Sequence, residues 1–229
     1  MQKKNSSSLH HHPSRHCFVA LLKACKTLND LKQVVAIHAM RIGSLETDLL
    51  VGTCLVGMYG KFGLLDKALY HFDRLPVRDI VAWTSLIQGY AQHGCGEEAL
   101  NCFQLMQSEG VCSDLTTFVC CLQACSSIGS MEKGQEIHAR MVVMGLLEGG
   151  AIAGSSLVNM YVKCGSVAKA QAAFDRLYVR NVVTWTTLIM GYSDYGLDEE
   201  ALKSFVQMKK EGISPDGVTY VCALRICCK

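Results

Sequence analysis

An internal repeat is the feature that most constrains how this chain can fold. Residues 49–114 and 151–216 align without gaps at an offset of 102 residues and share 32 of 66 letters. The ten residues VAWTSLIQGY at 81–90 return as VTWTTLIMGY at 183–192. Self-similarity at a fixed offset is typical of architectures in which repeated units stack on their neighbours. The sequence therefore predicts an array of units and not one closed core.

Shorter units subdivide the repeated block. Glycine and Asp or Asn residues interrupt the apolar pattern near positions 48, 79, 114, 150, 181 and 216. Segments of 31 to 36 residues between these positions suit a pair of helices. We predict a tail at 1–14 and a helical repeat array at 15–229, with units at 15–48, 49–79, 80–114, 115–150, 151–181, 182–216 and a partial unit at 217–229.

Each unit is predicted to contain two helices. In the unit 80–114, Trp83, Leu86, Ile87 and Tyr90 follow the spacing of one apolar helix face. In the unit 182–216, Asp198 is predicted to cap the second helix. No segment alternates apolar and polar residues for long enough to indicate a strand. Helix pairs that cannot bury their apolar stripes alone must stack. The predicted fold class is therefore all-α, a right-handed superhelical solenoid of stacked helix-turn-helix repeats.

Charge and composition exclude several functions. A net charge of +2 over 229 residues does not favour generic binding to phosphates. No apolar run approaches the length of a membrane span. The 13 cysteines include no C-x-x-C motif. We interpret them as small buried residues of a reduced compartment, with no disulfide framework, metal site or cofactor expected.

The N-terminal segment has an unusual charge bias. The first 29 residues contain no Asp or Glu, but they contain Lys, Arg and a run of serines at 6–8. Such a bias is typical of an organelle transit sequence. An ordinary N-terminal tail is an equally compatible interpretation.

A polar residue on the first helix is not explained by packing. Thr84 follows Trp83, and Thr186 follows Trp185. Each lies on a face rotated away from the apolar stripe, so its hydroxyl could meet the edge of a flat ligand. The last residue of five units is also polar: Asp48, Asp79, Asp114, Asn181 and Asp216. Such residues are common helix caps. The sequence does not decide between helix capping and ligand contact for these residues, and one residue can do both.

Several motifs carry a resemblance to a known family. The strings MYGKFG, MYVKCG, FDRL, VAWTSLIQGYAQHG and KEGISPD resemble those of plant pentatricopeptide repeat (PPR) proteins. The alternating unit lengths resemble the subclass with long, short and standard repeats in rotation, the PLS type. The resemblance covers about residues 15–229. It implies that each repeat binds one base of single-stranded RNA. The polar residue of the first helix and the last residue of the unit together determine which base is bound.

The resemblance implies four base-reading pairs: Thr53 with Asp79, Thr84 with Asp114, Ser155 with Asn181, and Thr186 with Asp216. Candidates for sandwiching a base are Leu50, Val81, Ile152 and Val183, with ordinary packing as the alternative.

The resemblance also implies which base each pair prefers. Thr with Asp implies guanine, and Ser with Asn implies adenine. The chemistry agrees, since a carboxylate accepts from the N1 and N2 donors of guanine, whereas an Asn amide can both donate and accept. Three long units depart from the pattern and are treated as spacers; they offer Val19 with Asp48, Val119 with Gly150, and Val221 without a partner. The implied RNA register is any base, G, G, any base, A, G.

The functional expectation is sequence-specific RNA binding in organellar RNA processing, with RNA editing or another RNA modification as the favoured process. The resemblance implies a mitochondrion or chloroplast. Deaminase chemistry would require H-x-E and P-C-x-x-C, and neither string occurs, so this chain is not expected to be an enzyme. We expect a fragment or a truncated gene model, with an editing or processing factor supplied in trans or by a missing C-terminal domain. The alternative is a protein-binding helical solenoid of the tetratricopeptide type.

Overall fold

The structure is a computed structural model that describes residues 15–25, 27–41, 48–148 and 150–227. These residues form thirteen helices and no strand, which confirms the predicted all-α class. The predicted tail at 1–14 lies outside the described residues, and so does the question of a transit sequence. In the part of the chain that is described, every helix is too short or too polar to cross a membrane.

The chain divides into two compact units, Met1–Arg78 and Asp79–Lys229. The first compact unit contains α1 (Arg15–Ala24), α2 (Leu28–Arg41), α3 (Leu49–Lys61) and α4 (Leu65–Asp73). Helix α1 packs on α2 and α3, and α3 packs on α4. Its core includes Leu22, Val51, Leu55 and Phe72.

The second compact unit is a stack of helix pairs. Its helices are α5 (Ile80–Gln92), α6 (Gly96–Ser108), α7 (Leu115–Ile128), α8 (Met131–Val143), α9 (Ala151–Lys163), α10 (Val167–Asp175), α11 (Val182–Asp194), α12 (Asp198–Lys210) and α13 (Gly217–Cys227). The first helices α5, α7, α9, α11 and α13 each pack on the next one in the row. Each second helix packs against the first helix before it and the first helix after it. Stacking therefore buries the apolar stripe that a single pair would leave exposed.

Side-chain caps begin most first helices. Asp79, Asp114, Asn181 and Asp216 each accept a hydrogen bond from the backbone N–H three residues later. The predicted cap at Asp198 is wrong, because α12 begins at Asp198 itself and Leu197 occupies the cap position. The carboxylate of Asp198 instead lies in the first turn, where the positive end of the helix dipole favours it.

Cysteine burial differs along the chain. Five of the eleven described cysteines are buried: Cys25, Cys120, Cys121, Cys125 and Cys222. Burial raises the pKa of Cys120 to about 11 and that of Cys125 to about 12, which keeps both thiols protonated at neutral pH. The interpretation of the cysteines as buried is wrong for Cys112 and Cys227, which are exposed. Cys112 lies in the loop after α6, and Cys227 is the last residue of α13.

Close packing of α6 against α7 leads to a first stability prediction. A Cβ atom added at Gly96 would lie 2.6 Å from the backbone oxygen of Ala124 and 2.5 Å from Oγ of Ser127. Backbone cannot move aside cheaply, so Gly96→Ala is expected to lower the free energy of unfolding by about 1–3 kcal/mol. Urea unfolding followed by circular dichroism measures this change.

Gly134 supplies the matched control. It lies within α8, and the three atoms nearest to an added Cβ all belong to the flexible side chain of Met160. Alanine also favours a helix interior over glycine by about 0.5–1 kcal/mol. Gly134→Ala should therefore change the unfolding free energy much less than Gly96→Ala. Equal losses in the two variants would contradict the packing argument.

Candidate functional site

A chain of three side chains joins one of the predicted base-reading pairs. The hydroxyl of Thr84 on α5 lies 2.8 Å from the hydroxyl of Thr117 on α7. The hydroxyl of Thr117 donates to Oδ1 of Asp114 at 2.8 Å, and the backbone N–H of Thr117 donates to the same oxygen. The two predicted partners, Thr84 and Asp114, are thus connected through Thr117 on α7.

The same arrangement occurs one repeated block later. The hydroxyls of Thr186 and Thr219 are 2.6 Å apart, and the hydroxyl of Thr219 donates to Oδ1 of Asp216 at 2.7 Å. Hydrogen bonds from the backbone and then from the side chain of Thr219 lower the pKa of Asp216 below its ordinary value. The carboxylate of Asp216 therefore stays ionised at neutral pH.

Capping leaves part of the Asp114 carboxylate available. Asp114 and Asp216 receive their hydrogen bonds from Thr117 and Thr219 at Oδ1. The Oδ2 atom of Asp114 has no hydrogen-bond partner among the described residues, and both side chains are exposed. Asp114 thus caps α7 through Oδ1 alone.

Thr84 is more buried than its helix position predicts. The sequence places it away from the apolar stripe, yet only 9% of Thr84 is exposed, because α7 packs against α5 on that side. Thr84, Val81 and Asp114 line one cavity of about 260 Å³, together with Ser85, Gln88 and Thr116. The structure thus brings this predicted pair and its predicted sandwiching residue to a single concave site.

Three larger cavities, of about 520, 540 and 400 Å³, contain none of the predicted site residues. They are lined partly by Phe118 and Met144, by Leu157 and Leu177, and by Phe174 and Trp185, respectively. Volume alone does not select a base-reading site, which needs hydrogen-bonding groups at a base edge. We therefore assign the candidate site to the smaller cavity.

The predicted pair of Ser155 and Asn181 is built differently. Ser155 donates its hydroxyl to the backbone oxygen of Ala151 at 2.8 Å and makes no side-chain bridge to the next helix. The backbone N–H of Thr184 donates to Oδ1 of Asn181. The hydroxyl of Thr184 accepts from the backbone N–H of Asn181 and donates to its backbone oxygen. The amide nitrogen of the Asn181 side chain is left without a bonded partner in the described residues.

Thr53 and Asp79 belong to different compact units. The hydroxyl oxygen of Thr53 is buried and has no hydrogen-bond partner in the described part of the chain. Asp79 accepts a hydrogen bond from the backbone N–H of Ala82, a residue that has no hydroxyl. This pair remains a prediction from the sequence.

The four predicted sandwiching residues share one property, which is exposure. They lie at the second position of their first helices and are exposed by 41–68%: Leu50, Val81, Ile152 and Val183. Apolar side chains that recur exposed in one register are not packing residues of the core. Their placement suits contact with the faces of flat ligands.

The units treated as spacers lack the polar groups of the reading pairs. Val19 is buried in the first compact unit, and Val119 is half-buried in the second. Gly150 begins α9 without a side-chain cap. Val221 is 65% exposed on α13. None of these residues offers a side-chain donor or acceptor, except Asp48, which caps α3.

Sequence reasoning missed Thr117 and Thr219. Both are fully buried polar residues, so neither stands out as a surface residue. A signal was present in the strings DLTT, NVVT and DGVT, where Thr follows a capping Asp or Asn by three residues. That spacing is typical of a side chain that bonds back to its own helix cap. The link to the hydroxyl 33 residues earlier has no sequence signature of its own.

These features define a protein of stacked helical repeats whose first helices carry polar and exposed apolar side chains in one register. The model of the PPR repeat family matches residues 78–127 and 180–229, and that of the PPR repeat matches residues 53–80 and 116–146. The chain belongs to the PPR repeat family. The tetratricopeptide-type alternative thereby loses its main support.

Relatives in Arabidopsis thaliana support the assignment. The chain is 35% identical over 216 residues to pentatricopeptide repeat-containing protein At4g18520, chloroplastic, covering 94% of this chain and 35% of that protein. It is 37% identical over 220 residues to pentatricopeptide repeat-containing protein CRR2, chloroplastic, covering 93% of this chain and 33% of that protein. The chain thus spans about a third of the length of these relatives.

Solved structures show the same fold. The crystal structure of the PPR protein PPR10 in complex with an 18-nt psaJ RNA element matches with a TM-score of 0.78 and 21% identity, over 96% of this chain and 33% of that one. PPR10 from maize matches with a TM-score of 0.75 and 20% identity, over 97% of this chain and 32% of that one. This likeness confirms the helical-repeat solenoid as the fold class.

Proposed function

We propose that this chain binds single-stranded RNA and reads one base per repeat. The observation that carries the proposal is the repeated site in the second compact unit. In two repeats a first-helix threonine is joined through a second threonine to the capping Asp, beside an exposed valine. The fold likeness to PPR10, a protein whose structure was solved with RNA, supports the same conclusion.

The geometry suits a nucleobase for two reasons. Val81 and Val183 are exposed at the same position of two repeats, so each could contact the face of a base. The threonine and the free carboxylate oxygen would then face the base edge. Contacts at base edges carry sequence information, whereas stacking on base faces is sequence-tolerant.

The pairs assigned to base reading are those predicted from the sequence: Thr53 with Asp79, Thr84 with Asp114, Ser155 with Asn181, and Thr186 with Asp216. Two acceptors at Thr84 and Asp114 suit the neighbouring N1–H and N2–H groups of guanine. At the other kind of pair, the free amide of Asn181 adds a donor and suits adenine, which has an acceptor at N1 and a donor at N6. The proposed register remains any base, G, G, any base, A, G, for the units from 15–48 to 182–216.

The wider role is proposed from the resemblance and the relatives. We assign the chain to the PLS subclass because its unit lengths rotate, and to an organelle because two of the relatives above are called chloroplastic. A mitochondrial location is the other organellar possibility. RNA editing or another processing step is the proposed process. The proposed role of this stretch is binding and not catalysis.

Affinity for RNA tests the proposal directly. Four units carry a polar pair, and each read base could contribute about 1–3 kcal/mol. Ordering the strand and losing rigid-body freedom cost several kcal/mol. We expect a net binding free energy at or below about 8 kcal/mol, which corresponds to micromolar or weaker binding. Titration of a labelled RNA with the proposed register measures this value at two salt concentrations.

Three comparisons accompany that titration. A scrambled RNA of equal composition should bind more weakly, and a duplex should bind least. The dependence on salt should be shallow, because a net charge of +2 leaves few lysine and arginine contacts to phosphates. Appending further repeats should raise affinity strongly. Nanomolar binding to both the designed and the scrambled RNA, with a steep salt dependence, would show generic phosphate attraction instead of base reading.

A further inference from the structure

The direction of the hydrogen bonds in the three-residue chain is determined by chemistry. A carboxylate oxygen can only accept, so the single hydroxyl proton of Thr117 goes to Asp114. The Thr117 oxygen must then accept in its contact with Thr84, and Thr84 must donate. The same reasoning directs the proton of Thr186 toward Thr219 and that of Thr219 toward Asp216. A base in the site therefore meets only the oxygen lone pairs of Thr84 or Thr186.

We propose that Thr117 and Thr219 are positioning residues for base choice, because they hold the hydroxyl proton of the preceding reading threonine away from the RNA. This inference rests on the proposed RNA-binding function. It assigns a role to a buried third residue in addition to the two that face the base. A free threonine hydroxyl can donate or accept and would discriminate poorly. A threonine whose proton is already committed is an acceptor only.

The orientation explains a preference for guanine over adenine. Two acceptors, the Thr84 oxygen and Oδ2 of Asp114, match the two neighbouring donors of guanine. Adenine presents its N1 acceptor in that place, so two acceptors would face each other without a proton between them. Leaving polar groups unsatisfied in a desolvated contact is costly, which makes the exclusion of adenine as important as the attraction of guanine.

Two observations support the role of Thr117 and Thr219: their burial, and the different hydrogen bonds of Thr184 beside the Ser155–Asn181 pair. Thr117 and Thr219 have no exposed surface, so neither can contact RNA itself. Thr184 occupies the corresponding position after Asn181. Its hydroxyl hydrogen-bonds the backbone of Asn181, and no hydrogen bond joins it to Ser155 among the described residues. Among the described repeats with a threonine three residues after the capping residue, two therefore have the bridge and one does not. Thr184 is the internal control.

The test compares base preference in Thr117→Val, Thr117→Ser and the unchanged protein. Two RNAs differ only at the third base of the register, which the Thr84 repeat is proposed to read. The unchanged protein should prefer guanine over adenine by about tenfold or more, the ratio that about 1.4 kcal/mol represents. Thr117→Val frees the Thr84 hydroxyl to donate to adenine, so the ratio should fall about fivefold, toward a value near two. Thr117→Ser retains a hydroxyl and should keep most of the preference.

The ratio of the affinities of one variant for the two RNAs does not depend on the folded fraction, because the same folded molecules bind both RNAs. Thr219→Val, tested at the sixth base, provides a second site if Thr117→Val folds poorly. Thr184→Val should leave the adenine preference at the fifth base unchanged.

The outcomes separate the two claims. A protein without any base preference overturns the proposed function itself. A protein that prefers guanine and keeps the full ratio in both Thr→Val variants overturns the role of the buried threonines alone. Equal losses in Thr117→Ser and Thr117→Val would likewise show that the hydroxyl does not carry the effect.

Discussion

Replacing Trp185 by alanine is expected to lower the free energy of unfolding by about 3–5 kcal/mol, the range for removing a large aromatic side chain from a packed core. The indole is 3% exposed and lies edge-on to Phe174, with ring centroids 4.5 Å apart. These contacts join α11 to the second helix of the preceding repeat. Because repeat stability depends on contacts between neighbours, the loss should extend beyond one repeat. Urea unfolding followed by circular dichroism measures it.

Val183 supplies the control for that substitution. It lies two residues earlier on α11 but is 52% exposed. Val183→Ala should change stability by no more than about 0.5 kcal/mol, as is usual for surface positions. It should instead weaken RNA binding if the valine contacts a base face. A small stability loss in Trp185→Ala, close to that of Val183→Ala, would contradict the assignment of these residues to core and surface.

Changing Asn181 to aspartate is expected to convert the fifth base of the register from adenine to guanine. The Oδ1 atom of Asn181 is held by the backbone N–H of Thr184, which leaves its amide NH₂ as the group facing a ligand. Asn181→Asp replaces that donor with an acceptor. Good base contacts discriminate by about 1–3 kcal/mol, so the preference should change by roughly 10- to 100-fold. Competition between RNAs that differ only at the fifth base measures the change.

A charge control is needed, since the substitution also adds a negative charge. Asn101→Asp adds the same charge on the second helix α6, where the side chain is exposed. It should weaken binding to all RNAs slightly and equally. An unchanged adenine preference in Asn181→Asp, or the same change in Asn101→Asp, would contradict the assignment of Asn181 to base reading.

The two kinds of reading site differ in how their polar atoms are held. Asp114 and Asp216 receive a hydroxyl proton from a buried threonine, while Asn181 receives only a backbone N–H at its side chain. Asn181→Asp could therefore also draw the Thr184 hydroxyl toward the new carboxylate, as at the other two sites. We propose that base choice in this array depends on the direction of hydrogen bonds as well as on residue identity.

Much of the site could be predicted from the sequence because its signals are local and periodic. Trp83, Leu86 and Ile87 follow helical spacing, and all three are buried. The polar residues ending the units cap the next helices, because a cap needs only the backbone three residues ahead. Cap prediction was wrong at Asp198, where the chain enters the helix one residue earlier than the acidic residue suggests.

The sequence by itself determined the repeat, the helix pairs and the exposed apolar positions that share one register, since each depends on spacing within one block. Only the tertiary structure decided which pairs are connected. Thr84 and Thr186 reach a buried threonine 33 residues ahead, whereas Ser155 turns back to its own helix. The direction of a hydroxyl proton depends on which acceptor packing brings within reach. That information is absent from any spacing of letters, because it arises only when neighbouring helices meet.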